Sequence, residues 1–209
     1  MKVRVAVLAF LVAAAPMLSG GPATSAATPP GPGAGYWFVA GDGGVFSFGP
    51  SALFQGSAGA IRLNLPIVGM APTPDGAGYW LVARDGGIFT YGNAVYYGST
   101  GGMHLNQPIV AMAATVDGGG YWLLAADGGV FTFGEAPFLG SAVGSPSPAV
   151  GIAADPSGWG YRIVDQDGQV FQFDVPYRGS YAAPPSDPVS GMAMAPDGGY
   201  WIVSRSTSV

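Results

Sequence analysis

Apolar residues along the chain fall into short runs cut by glycine-rich polar turns, and the runs recur in a fixed order. One unit shows the pattern: residues 79–83, 87–91, 94–98 and 108–114 are each apolar-rich and bounded by Gly, Asp or Pro. Runs of this length with such punctuation predict β-strands and leave no room for helices. Gly-Tyr-Trp at 35–37, 78–80, 120–122 and 199–201, with Gly-Tyr-Arg at 160–162, marks the repeat. The tyrosines 36, 79, 121, 161 and 200 stand 43, 42, 40 and 39 residues apart. Each unit therefore carries four short strands.

Asp-Gly dipeptides at 42–43, 85–86, 127–128 and 167–168 separate the Tyr-Trp run from the next. Asp-Gly suits a two-residue hairpin, whose central residues need positive φ. Pairing outward from that turn sets Trp37 opposite Phe48, Trp80 opposite Tyr91 and Trp122 opposite Phe133, and lays Tyr36, Tyr79 and Tyr121 over Gly49, Gly92 and Gly134. The strands are apolar on both faces, so each small sheet needs cover on both sides. Blades stacked about an axis give that cover. The run at 108–114 and its counterparts carry small residues (Gly69, Ala111, Gly151, Gly191), as a crowded axis requires.

The predicted fold class is thus all-β, a β-propeller-like ring of about four four-stranded antiparallel blades. A C-terminal strand at 188–193 completes the N-terminal blade, leaving 200–204 surplus. That surplus strand leaves three arrangements open: edge pairing, an open array, or a homo-oligomer through the C-terminal strand. A parallel β-solenoid competes, but its coils are shorter and lack tight hairpins.

Residues 78–92 and 108–118 resemble the tandem repeat of actinobacterial exported and cell-surface proteins, whose consensus is close to GYWLVASDGGVFAFGDAPFYGS. The resemblance spans about 35–204 and implies a propeller-like fold and an extracellular setting.

The N-terminus agrees with export. Lys2 and Arg4 precede an apolar run at 5–18, and small residues follow at 25–27. This reads as a cleaved signal peptide, 1–27, since the apolar run is too short to span a bilayer. A Pro/Gly-rich linker at 28–34 then leads into the repeat domain, 35–209. The protein is expected to be secreted or held at the cell surface, with no membrane span after cleavage. Beyond residue 27 five arginines face twelve acidic residues, a net charge of −7. Nucleic acid and anionic membranes are poor partners for such a chain. There is no cysteine, so burial alone stabilises the fold.

Catalysis is hard to assemble here, and no catalytic residue, metal ligand set or cofactor is assigned. His104 is the one imidazole, and there is no Gly-x-Ser-x-Gly elbow. Asp42, Asp85, Asp127 and Asp167 sit in one series of turns, and Asp75, Asp117 and Asp197 in another, where Asp bonds its own backbone. The fourth unit departs from the pattern. Arg162 replaces Trp and falls opposite Phe173, Asp165 replaces a small residue, and Asp174 replaces glycine. With Arg178 these make a candidate polar recess for a ligand. Asn64, Asn106 and His104 occupy the long loops, and Tyr97, Tyr177 and Tyr181 are candidate stacking residues.

The expected function is a non-catalytic repeat module of the cell envelope or extracellular space that binds a glycan or cell-wall polymer. The alternative is a structural or protein-interaction module meeting an envelope protein, without a small-molecule site. A propeller-type hydrolase stands third.

Overall fold

The structure is a computed structural model that describes residues 35–181, 183–195 and 197–205. The signal peptide and linker expected at 1–27 and 28–34 lie outside the described residues. Among the described residues no helix is long and apolar enough to cross a membrane.

Among the described residues thirteen strands form five small antiparallel sheets, all between chain neighbours. The first holds β1 (Tyr36–Val39) and β2 (Val45–Phe48). Three three-stranded sheets follow: β3 (Ile67–Pro72), β4 (Gly78–Ala83) and β5 (Ile88–Gly92); β6 (Ile109–Ala114), β7 (Gly120–Ala125) and β8 (Val130–Gly134); β9 (Ala149–Ala154), β10 (Tyr161–Asp165) and β11 (Val170–Phe173). The last pairs β12 (Val189–Met194) with β13 (Tyr200–Ser204).

Sheets of this size do not persist singly. Each leans on the next. Four apolar cores fill the four boundaries: Trp37 and Val39 against Tyr79 and Leu81, Trp80 and Val82 against Tyr121 and Leu123, Trp122 and Leu124 against Tyr161 and Ile163, and Val164 and Val170 against Tyr200 and Ile202. The strands β3, β6, β9 and β12 stack along one side. Their small residues permit this: a Cβ on Gly151 would stand 3.4 Å from the Gly191 Cα.

Three expectations need correction. The hairpin turn has three residues, not two. Ala83 N–H donates to Gly87 O, Gly86 N–H donates to Ala83 O, and Gly86 takes φ +79°. This is a type I turn closed by a left-handed glycine. The extra residue slips the register by one, which swaps every cross-strand partner. Tyr79 faces Tyr91, Trp80 faces Thr90, and Arg162 faces Gln172. The recurrent aromatic pair is therefore made by tyrosine: Tyr36–Phe48, Tyr79–Tyr91, Tyr121–Phe133 and Tyr161–Phe173, at 5.1–5.7 Å.

The second correction concerns the fourth strand of each blade, which does not form. Over 94–98 the Val95 carbonyl accepts from the Trp80 indole at 2.7 Å, and Gly98 takes φ +134°, so this segment runs as irregular chain. Third, β12 does not complete the first sheet. It pairs with β13 across a tight local turn, and contacts between sheets run only between successive ones among the described residues. A short hairpin closes at far lower entropic cost than a pairing across the whole chain.

Candidate functional site

At every boundary the residue after the tyrosine packs on the next unit's tyrosine. Trp37–Tyr79, Trp80–Tyr121 and Trp122–Tyr161 stand 5.9, 5.7 and 5.2 Å apart. The indoles also donate within their own units, to the carbonyls of Leu53, Val95 and Pro137. Arg162 takes over both roles. Its Nη2 donates to Pro176 O at 2.9 Å, and its guanidinium carbon lies 5.6 Å over the Tyr200 ring. The cation thus sits over Tyr200 and not, as the two-residue hairpin places it, over Phe173.

A buried guanidinium needs a counter-charge. Asp155 supplies it at 2.8 Å, standing where the earlier units have Thr73 and Thr115. Burial opposes ionisation of Asp155, but two hydrogen bonds from Ser157 and the Arg162 guanidinium prevail and hold its carboxyl below the usual range.

Arg162, Asp165, Asp174 and Arg178 are not gathered in one recess. Residues 162 and 165 are an odd number apart on β10, so their side chains leave opposite faces, about 10 Å apart along the strand. Arg162 and Arg178 line a hollow of about 210 Å³ with Asp155, Ser157 and Asp197. Asp165 lines a larger one of about 500 Å³ with Ser145, Asp167, Gln169, Phe171 and Tyr181. Its carboxylate is already engaged: Oδ1 accepts from the Asp167 and Gln169 amides, and Oδ2 from the Ser145 hydroxyl. Asp174 lines neither hollow. It holds φ +53° where Gly49, Gly92 and Gly134 stand in the other units, a conformation that Asp tolerates. Asn64, His104 and Asn106 are exposed in their loops and line neither hollow.

Among the stacking candidates, Tyr97 is committed to the fold. It packs beside Trp80 and Tyr121, and its hydroxyl donates to Gly118 O. Tyr177 and Tyr181 are exposed.

A row of rings, of which the sequence reading names Tyr177 alone, lies on the irregular segments. Phe54, Tyr96, Phe138 and Tyr177 occupy one position in four successive units, and all are 58–61% exposed. Backbone anchoring on both sides turns them outward. The preceding carbonyl (Leu53, Val95, Pro137 or Pro176) is held by an indole or by Arg162. Two residues on, the carbonyl of Gly56, Gly98, Gly140 or Gly179 accepts from the next unit's tyrosine hydroxyl. The ring between is fixed at its base and free at its face. Its signal in the sequence is one aromatic two residues before the glycine of each ALFQGS, AVYYGS, APFLGS and VPYRGS.

No protein-family model matches the sequence, and no curated protein matches it. A solved structure of U3-55K is similar at 13% identity and a TM-score of 0.47, over 68% of this chain and 53% of that one. The match spans about half of that protein's length.

Proposed function

We propose that this protein is an exported, non-catalytic repeat module with a propeller-like succession of blades that binds an extended glycan or cell-wall polymer through the row Phe54, Tyr96, Phe138 and Tyr177. The observation that carries the reading is the exposure of one ring per unit at one position of the repeat. A polymer presents the same apolar sugar face at regular intervals, and a row of fixed rings meets it with little ordering cost. Each contact is weak, and several in series give useful retention. The leader at 1–27 and the resemblance to exported repeats support the extracellular setting.

Co-sedimentation of the purified protein with insoluble cell-wall polysaccharide tests this. Retention that drops in Phe138→Ala supports the reading, and equal retention of that variant refutes it. The alternative, a protein-interaction module, draws on the open sheet faces at the two ends of the stack.

A further inference from the structure

The two outermost sheet faces are the two halves of one repeated interface. At each internal boundary a Trp or Arg of one sheet packs on the tyrosine of the next, at 5.2–5.9 Å. Trp201 holds the equivalent position on β13 and is 50% exposed. Val203 matches Val39, Val82, Leu124 and Val164, which are all buried, yet it is exposed. At the other end Tyr36, Phe46 and Phe48 match the rings that receive the neighbour elsewhere, and Phe46 and Phe48 are exposed. Neither β1 nor β2 touches β12 or β13, so the faces do not meet within one chain.

We propose that the β13 face of one molecule docks on the β1–β2 face of a second copy, Trp201 on Tyr36, repeating the internal boundary between chains. The occupant is another copy because three boundaries of this chain already display the fit, an indole and a branched aliphatic residue against a tyrosine and its cross-strand ring, and Arg162 takes the indole's place at the fourth. The two faces differ, so the contact is heterologous and builds a closed ring or a filament rather than an isologous dimer.

Sedimentation velocity over the micromolar range, without glycan, tests this apart from polymer binding. The wild type is expected to gain mass with concentration. Trp201→Glu alone and Phe46→Glu alone are expected to stay single, since each blocks one face. Mixed one to one they are expected to form a dimer and nothing larger, through the two faces left intact. Val203→Lys and Phe48→Lys, also at exposed positions, serve as a second pair if either variant fails to fold. A wild type that remains monomeric throughout, single variants that assemble like the wild type, or a mixture without dimer would each overturn the proposal.

Discussion

Trp80 packs against Tyr121 across the boundary between the second and third sheets, ring centroids 5.7 Å apart, while the Tyr121 hydroxyl donates to Gly98 O at 2.6 Å. The phenol therefore joins two sheets both by its face and by its oxygen. Tyr79, Tyr161 and Tyr200 repeat the hydrogen bond at Gly56, Gly140 and Gly179. The stack is thus latched unit by unit.

Removing one latch is expected to cost a buried hydrogen bond and leave a carbonyl short of a partner. Tyr121→Phe should lose about 1–2 kcal/mol, a fall of several degrees in Tm. Tyr36→Phe, on the outer face, should change stability by less than about 0.5 kcal/mol. Thermal unfolding followed by near-UV circular dichroism separates the two.

Arg162 and Asp155 together stand in for the Trp and Thr of the earlier units. Arg162→Trp alone leaves the Asp155 carboxylate buried without its cation and should destabilise by about 3 kcal/mol. The double variant Asp155→Thr with Arg162→Trp should recover most of that loss. A double-mutant cycle in urea measures the coupling.

Glycine is required at 98 because φ is +134° and a Cβ would stand 2.6 Å from the Phe133 ring of the next unit. Gly98→Ala should cost about 2–4 kcal/mol. Gly179→Ala, where a Cβ would meet open space at φ +115°, should cost less. Chemical denaturation of the two variants gives the comparison.

Stability should fall at both ends of the pH scale for assignable reasons. Burial lifts the phenols of Tyr79, Tyr121 and Tyr161 above their ordinary 10.0. A raised folded value means that their contribution is whole below pH 10 and drains as the pH climbs through that value. Asp155 is displaced downward from 3.8, so its contribution is whole above that pH and is lost as the pH falls through the lowered folded value. Unfolding free energy against pH should therefore flatten on the alkaline side in Tyr121→Phe, and on the acid side in the Asp155→Thr, Arg162→Trp variant.

Strand positions were legible because the Gly-Tyr-Trp runs and their glycine borders recur five times, once with Arg, and the two-sided apolar pattern foretold the leaning of sheet on sheet. Register was not. Asp85-Gly86-Gly87 is compatible with a two-residue or a three-residue turn, and the Ala83–Gly87 hydrogen bond, with Asp85 outside the positive-φ region, decides for three. The fourth strand failed for a tertiary reason, since the Trp80 indole takes the Val95 carbonyl that a ladder would need. The same capture hid three rings of the outward row: Tyr96 lies in a run that reads as a strand until its neighbour's carbonyl is seen tied down. Arg162 and Asp165 drew notice as departures from the repeat, but strand alternation parts them.

The polymer reading meets its sharpest test in stepwise removal of the rings. Retention on insoluble cell-wall polysaccharide should be measured for the wild type, Phe138→Ala, the double Tyr96→Ala, Phe138→Ala, and the triple adding Phe54→Ala. Loss of a stack worth about 0.5–1.5 kcal/mol lowers affinity by about 2- to 12-fold per ring, so the series should weaken step by step. Binding that stays level across the series, in variants whose melting is unchanged, would contradict it.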